Sequence, residues 1–412
     1  MKKLTCILLI AVLLFGAISL GSCKLRKASE VDGVDQVSNQ ADNKAEAEKK
    51  PTEKPTEQPT TAPPEVETVA SSELSASGYK SLVNSYDNLI YSYGFDGEVF
   101  VTEHGKPIYK KGVNYADKKK KIKNNENTIF RTASITKQFT AAAIMILQER
   151  GKLSVKDKLS KYFPDYKYGD KITIDNVLRM NSGIPDYMNF YNNVAKIFPT
   201  KKEAFTNSSK KNREIIKKSF MTDPILFTPG ATFKYSNSGY LLLGEIVEKA
   251  SGTTYENFLK KEIFDKLDMN FTGFIEDLDE NTHNLAQPYN YSKGQLDVFK
   301  IKGAAFACGN MYSTAVDLAK WADGLRDYKI MSKESFNELT SDKNHYGYAC
   351  GLFVLDKGNV IFHTGNLAPY NSILIMSTGS SKYTCVVLSN YDYYASETLG
   401  KNLRSVYAGL LS

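Results

Sequence analysis

The pattern of apolar and polar residues divides the chain into three parts. An apolar run from Leu4 to Leu20 lies at the N-terminus. Residues 24 to about 78 are rich in Lys, Glu, Ala, Ser, Thr and Pro. From Tyr79 onward, apolar residues recur with the periods of helices and strands. This pattern predicts a folded unit over residues 79–412.

Within the folded unit, the periodicity predicts strands at both ends and helices between them. Helices are predicted over Tyr79–Tyr93, from Ser134 to Gly151, over Tyr240–Ala250 and over Asn390–Ser412; a hairpin is predicted over Gly97–Gly112 with its turn at His104–Gly105, and later strands over Gly351–Leu355, Asn359–His363, Ser372–Ser377 and Tyr383–Leu388. We therefore expect an α/β (α+β) fold in which both ends of the domain form one sheet. The middle of the chain forms a helical lobe beside that sheet.

The N-terminus has the features of a secretion signal. Lys2 and Lys3 precede the apolar run, which ends in Leu20-Gly-Ser-Cys23. This ending resembles a bacterial lipobox, so residues 1–22 are predicted to be a lipoprotein signal peptide and Cys23 the lipidated mature terminus. Plain cleavage with a free Cys23 and an uncleaved membrane anchor are the alternatives. We expect a cell-membrane protein, lipid-anchored on the extracytoplasmic face.

Residues 23–78 are predicted to be a disordered tether. The stretch Pro51–Pro64 is repetitive and lacks aromatic residues, so it cannot bury enough apolar surface to fold. Proline would partly extend such a segment and hold the folded unit in or near the cell wall.

Charge and cysteine content narrow the class of protein. The net charge of the 412 residues is +7 and falls to +5 without Lys2 and Lys3, and most charges are interleaved Lys and Glu. Nucleic acid is not an expected partner of an exported protein with this surface.

Of the five cysteines, Cys308, Cys350 and Cys385 remain in the folded unit, an odd number in apolar contexts. They predict small buried side chains and not a disulfide scaffold.

The strongest candidate for chemistry is Ser134-Ile-Thr-Lys137. A serine and a lysine three residues apart lie on one face of a helix, and a buried lysine with a lowered pKa can take the proton of the serine hydroxyl. The same spacing occurs at Ser77–Lys80 and Ser208–Lys211, but only Ser134 opens a long apolar helical run. The structural alternative is a helix N-cap at Ser134 with Lys137 on the surface.

Two further motifs supply groups that a serine nucleophile needs. In Tyr235-Ser-Asn237, the phenol can move a proton if a cation lowers its pKa, and the amide can bind both a substrate carbonyl and the lysine. His363-Thr-Gly365 is predicted to end a strand, where a substrate could lie along the sheet edge. The structural alternatives are a half-buried tyrosine with a satisfied hydroxyl and an ordinary strand-end histidine.

Taken in order, these motifs resemble those of the penicillin-recognising serine hydrolases, which include class C β-lactamases, D-alanyl-D-alanine carboxypeptidases and related esterases. Pro229–Glu248, Cys308–Trp321 and Ser182–Tyr187 also fit the family pattern. The resemblance covers residues 79–412. It implies a β-lactamase/transpeptidase-like fold with an antiparallel sheet flanked by helices and an inserted helical lobe.

The resemblance also implies roles for individual residues. Ser134 would be the acylated nucleophile, with Lys137 and Tyr235 in proton transfer. Oxyanion stabilisation would come from the backbone amides of Ser134 and Asn366. The residues implied in substrate binding are Asn237, His363, Thr364, Gly365 and Asn366. No metal or cofactor is implied, and His104, His283 and His345 lack the spacing of ligands.

Some positions depart from the family pattern and bear on the substrate. His363 stands where many relatives have a lysine, Met180-Asn181 where many have His-Thr, and Pro369 where many have glycine. We expect a carboxypeptidase-like enzyme or an esterase before a β-lactamase, acting on a peptidoglycan stem peptide or a D-alanyl ester of teichoic acid. The alternatives are a β-lactamase and a catalytically silent cell-wall binding or sensing module. Activity should rise with pH as Lys137 and His363 lose their protons.

Overall fold

The computed structural model describes residues 74–190, 197–279, 282–290, 301–391 and 395–411. The predicted signal peptide, Cys23 and nearly all of the predicted tether lie outside these residues. Among the helices described, none is both long enough and apolar enough to cross a membrane.

A six-stranded antiparallel sheet forms the centre of the domain. Its strands are β1 (Gly97–Glu103), β2 (Lys106–Val113), β8 (Phe353–Leu355), β9 (Val360–Leu367), β10 (Tyr370–Ser377) and β11 (Thr384–Ser389). Their order is β2-β1-β11-β10-β9-β8. Strand β1 therefore pairs directly with β11, the last strand, and β2 pairs with β1, which confirms the predicted sheet built from both ends.

Five short strands form smaller sheets. They are β3 (Tyr115–Asp117), β4 (Ile122–Lys123), β5 (Phe130–Arg131), β6 (Gly273–Phe274) and β7 (Met311–Ser313). Strands β3 and β4 pair with each other, and β7 lies between β5 and β6. The pairing of β5 with β7 is important for the site, because it fixes the chain just before Ser134.

Helices cover both faces of the main sheet. In chain order they are α1 (Ala76–Ser92), α2 (Thr136–Glu149), α3 (Ile174–Leu178), α4 (Lys201–Thr206), α5 (Ser209–Met221), α6 (Asn237–Ser251), α7 (Tyr255–Leu259), α8 (Phe306–Gly309), α9 (Ala315–Arg326), α10 (Lys333–Thr340) and α11 (Ala395–Leu411). On one face, α1 and α11 bury side chains such as Leu82 and Leu403 against Val99. The other face packs on the helical lobe.

Helix α2 runs through the middle of the lobe. Residues 136–147 are all buried, as expected of a helix whose every face meets other protein. Helix α6 packs beside α2, and its end at Gly252 is a left-handed cap with φ 74°. The N-termini of α2 and α6 therefore lie side by side and carry two of the predicted motifs.

The predicted elements differ from the structure mainly at their ends. Helix α1 begins at Ala76 and not at Tyr79, because the Ser75 hydroxyl caps it by accepting a hydrogen bond from the Gly78 amide. The predicted end of a strand at His363 is wrong. Strand β9 continues to Leu367, since its pairing with β10 is unbroken from Val360 to Leu367. His363-Thr-Gly365 therefore lies inside a strand.

Candidate active site

Ser134 lies in a single 3₁₀ turn, Ala133–Ile135, which leads directly into α2. Ala133 has φ 48°, a left-handed conformation that is uncommon for alanine and that stores strain. Thr132, which precedes Ala133, is held by two hydrogen bonds. Its amide donates to the Met311 carbonyl at 2.9 Å, and its carbonyl accepts from the Ser372 hydroxyl at 2.9 Å. These bonds hold a turn that leaves Ser134 partly exposed.

Lys137 is completely buried, so the alternative of a surface lysine does not hold. Its Nζ donates to Ser134 Oγ at 3.1 Å, to Asn237 Oδ1 at 2.8 Å and to the Cys308 carbonyl at 2.7 Å. Burial lowers its pKa from 10.5 to about 8, although the Cys308 and Asp186 side chains oppose the shift. An appreciable fraction of the amine is therefore neutral near pH 7–8 and able to accept a proton.

Asp186 fixes the orientation of Asn237. One carboxylate oxygen accepts from Asn237 Nδ2 at 2.9 Å, and the other accepts from the Met188 amide at 2.9 Å. A carboxylate can only accept, so the amide group of Asn237 must turn its NH₂ toward Asp186 and its oxygen toward Lys137. Burial raises the pKa of Asp186 from its ordinary value. Asp186, Asn237 and Lys137 form one hydrogen-bonded chain.

Tyr235 lies beside the lysine, with its ring centroid 4.8 Å from Lys137 Nζ. Burial raises the pKa of Tyr235 well above 10, and a hydrogen bond with the Ser134 side chain opposes the shift only in part. The sequence analysis expected a neighbouring cation to lower the pKa of this phenol, but Lys137 does not lower the pKa of Tyr235 below 10. The hydroxyl stays protonated at neutral pH and can relay a proton, but it is not a phenolate base.

His363 is buried and neutral. Its Nδ1–H donates to the Thr364 carbonyl at 2.6 Å, and its Nε2 lies 3.3 Å from the Tyr348 hydroxyl, which must then donate. Burial, and then the charge of Lys137, lower its pKa from 6.5 to about 3. His363 therefore does not titrate between pH 5 and 9, and the predicted rise in activity with pH can come only from Lys137.

Strand β9 passes very close to the turn that carries Ser134. A Cβ at Gly365 would lie 2.2 Å from the Thr132 carbonyl oxygen and 2.3 Å from Ser372 Oγ, so only glycine fits there. Strand β8 pairs with β9 only over Val360–Phe362, and Asn366 is exposed beyond that pairing. The edge of β9 near Ser134 is thus left without β8 as a neighbour. The oxyanion role of the Ser134 and Asn366 amides stays a prediction.

The structure brings six of the predicted positions around one centre: Ser134, Lys137, Tyr235, Asn237, His363 and Gly365. Sequence reasoning missed the roles of Asp186, Tyr348 and the Cys308 carbonyl. Asp186 lies in the Ser182–Tyr187 stretch that fits the family, which was its only signal. Among the described residues, no three His, Cys, Asp or Glu side chains form a group suited to a metal ion.

Comparisons with known proteins identify the family of the chain. A family model described as Beta-lactamase matches residues 92–408. Protein flp of Staphylococcus aureus (strain N315) is 28% identical over 311 residues, which cover 71% of this chain and 59% of that protein. Penicillin-binding protein 4* of Bacillus subtilis (strain 168) is 29% identical over 342 residues, which cover 76% of this chain and 71% of that protein. The match thus spans less than two thirds of protein flp.

Solved structures have the same fold. The octameric penicillin-binding protein homologue from Pyrococcus abyssi superposes with a TM-score of 0.68 at 25% identity, covering 80% of this chain and 77% of that one. The D-amino acid amidase from Ochrobactrum anthropi SV3 gives a TM-score of 0.66 at 20% identity, covering 80% and 99%. With the family model matched over most of the folded unit, the chain belongs to the β-lactamase and penicillin-binding protein family of serine hydrolases.

Proposed function

We propose that the protein is an extracytoplasmic serine hydrolase that forms an acyl-enzyme at Ser134. Its substrates are D-amino-acid-containing amides or esters of the cell envelope, as for a D,D-carboxypeptidase or an esterase. The observation that carries the proposal is the buried Lys137 amine, 3.1 Å from Ser134 Oγ and with a pKa of about 8. A base whose pKa lies near the working pH is the most effective proton acceptor for a serine.

The reaction takes two steps. Ser134 Oγ gives its proton to neutral Lys137 and bonds to the substrate carbonyl carbon, whose π electrons move to the oxygen. When the carbonyl re-forms, the bond to the leaving amine or alcohol breaks, and Tyr235 passes the proton from Lys137 to that group. Water then attacks the acyl-enzyme by the same route in reverse, releasing the acid and restoring Ser134.

The arrangement favours transfer of the serine proton over a static ion pair. Lys137 has three acceptors and no carboxylate in direct contact among them. Its positive form is stabilised by neutral oxygen atoms, while burial opposes the charge. The lysine is therefore able to gain and lose a proton during each step.

The preference for a peptidase or esterase over a β-lactamase rests on His363. Its ring is neutral and both nitrogens have partners within the protein, so it offers no positive charge to a substrate carboxylate. Two similar proteins are named for penicillin binding and for D-amino acid amides, and both fit an acyl donor of D configuration. A location outside the cytoplasm is supported by the signal-like N-terminus and the Cys23 lipobox resemblance.

Intact-mass spectrometry of the purified chain tests the proposal. The chain is incubated separately with a fluorophosphonate and with a penicillin, and Ser134→Ala serves as the matched control. A fluorophosphonate adduct that Ser134→Ala lacks is the expected result, and a stable penicillin adduct would favour a peptidase. Release of hydrolysed penicillin is measured in parallel, because rapid turnover would identify a β-lactamase. Labelling by neither reagent would refute the enzymatic proposal and favour a binding module.

A further inference from the structure

A row of aromatic rings leads from the proton relay to the protein surface. The ring centroid of Tyr235 lies 6.5 Å from that of Tyr348, which lies 5.5 Å from Phe233. Phe233 is in turn 6.3 Å from Tyr346. Tyr348 is buried and Phe233 half-buried, whereas Tyr346 is 39% exposed. We call Phe233 and Tyr346 the aromatic rim.

The Tyr346 ring of the rim is held in place. The Tyr346 hydroxyl donates to the Ala231 carbonyl at 3.2 Å. The carboxylate of Asp342 accepts from the backbone amides of Tyr346 and Gly347, at 3.1 and 2.8 Å. Because the side chain and its loop are already ordered, a ligand that contacts the ring loses little conformational entropy of the protein.

Phe233 is tied to the active site through the backbone. It precedes Tyr235 by two residues, and the amide of the intervening Lys234 donates to the Met180 carbonyl at 2.8 Å. The rings of Phe233 and Tyr235 both lie against Tyr348. The Phe233 ring therefore continues the wall that Tyr235 begins.

The two rim rings contact each other while Tyr346 remains 39% exposed. Their planes are tilted by 50° at 6.3 Å, so they do not stack face to face on each other. Ring pairs gain about 0.5–1.5 kcal/mol beyond area burial when they stack offset or edge to face. A ligand ring that contacts the exposed surface of Tyr346 in either geometry would gain this energy.

We propose that the aromatic rim is a substrate subsite that binds the face of a six-membered ring carried near the scissile bond. The inference rests on the proposed hydrolase function and adds a substrate class to it. Two sources share this chemistry: the phenyl side chain of an amino acid and the pyranose ring of a glycan. Both present a flat apolar face to an aromatic wall.

A series of thioesters tests the subsite, with the released thiol as the readout. Three of the compounds are S-ethyl thioesters whose acyl groups are acetyl, phenylacetyl and tetrahydropyranylacetyl. A fourth compound, S-benzyl thioacetate, carries its ring on the leaving group instead. The measured quantity is the ratio of kcat/KM with a ring to kcat/KM without one. One stacked pair is worth about 2–12-fold in this ratio. The phenyl and pyranyl arms distinguish the two sources.

Four single variants and one double variant separate stacking from general damage. We expect Phe233→Ala and Tyr346→Ala to lower the ratio toward one, and Tyr346→Phe, which keeps the ring, to retain it. The control is Tyr328→Ala, since Tyr328 is 41% exposed and packs edge-on against Phe336, outside the row. A ratio that stays unchanged in the double alanine variant would overturn the subsite, as would an equal loss in Tyr328→Ala.

Binding to Ser134→Ala protein distinguishes failure of the subsite from failure of the hydrolase. Dissociation constants for the same thioesters are measured by calorimetry, which needs no turnover. We expect the ring-bearing compounds to bind more tightly than the ringless ones, and Phe233→Ala to remove this difference. That result supports the subsite even if the chain hydrolyses none of the compounds. Equal binding of ring-bearing and ringless compounds refutes it, whatever the activity of the unmodified enzyme.

Discussion

Replacing Asp186 with asparagine should move the pH dependence of the enzyme to lower pH. Asp186 lies at the end of the chain that runs through Asn237 to Lys137, with hydrogen bonds of 2.9 and 2.8 Å. Asparagine keeps one oxygen that can accept from Asn237 Nδ2, but its NH₂ group cannot accept from the Met188 amide, so the bond to Asn237 is retained while the charge and the bond from Met188 are lost. The carboxylate raises the pKa of Lys137, and its removal therefore lowers that pKa.

The size of the shift follows from the distance. The two hydrogen bonds and the amide between them put the two charges at most ~8 Å apart, and Coulomb's law with an effective dielectric constant of ~20 gives about 2 kcal/mol at that separation. This corresponds to roughly 1.5 pH units. Because the partly exposed Ser134 faces solvent, part of the interaction is screened, and we expect a shift of about one unit.

The assay is kcat/KM for an ester between pH 5 and 10. In the unmodified enzyme the acid limb should lie near pH 8, because Lys137 must be neutral and His363 is neutral throughout the range. Asp186→Asn should move the limb down by about one unit, and Asp157→Asn, which changes a carboxylate paired with Lys161, should leave it in place. A limb that stays fixed or moves to higher pH in Asp186→Asn would refute the reasoning.

Three other predictions concern groups around the nucleophile. Lys137→Ala should slow labelling of Ser134 by a fluorophosphonate ~10²–10⁴-fold in an intact-mass time course. Lys137→Arg should slow it as much, because arginine cannot act as the base. Near-normal labelling of either variant contradicts the role of Lys137. Gly365→Ala should cost about 1–3 kcal/mol of stability in a denaturant titration. Its kcat/KM should fall ~10²-fold as β9 moves from the turn of Ser134, and an unchanged value would show that the approach is not required. Tyr348→Phe should lower the free energy of unfolding by about 1–3 kcal/mol, since His363 Nε2 loses its donor, and equal stability would mean that the bond is not formed.

The sequence predicted those parts of the fold that depend on local pattern. The hairpin of β1 and β2 has its turn at His104 and Gly105, with φ values of 50° and 75°, as the glycine and the alternation indicated. The extension of β9 through Gly365 could not be predicted in the same way. It depends on pairing with β10, a contact between strands whose register the local sequence does not state.

The candidate site shows the same division. Ser134, Lys137 and Asn237 come from motifs with fixed spacing, so the sequence could propose them. Asp186 reaches the site by packing of a distant loop, 51 residues before its partner Asn237. The Cys308 carbonyl is a backbone group, which no side-chain motif identifies. Burial also overturned one expectation, because it raises the pKa of Tyr235 well above 10 and the hydrogen bond with Ser134 opposes this only in part.

Burial, and not spacing, decides which serine–lysine pair can do chemistry. The chain contains the same spacing at Ser208 and Lys211, where Ser208 caps α5 by accepting from the Lys211 amide at 3.3 Å and the lysine side chain is exposed. Ser208 is therefore a helix N-cap, which was the alternative interpretation for Ser134. At Ser134 the helix begins two residues later, and Lys137 enters a core that excludes water. The nucleophile therefore depends on the apolar lobe around α2, and substitutions that admit water there should raise the pKa of Lys137 and weaken the base.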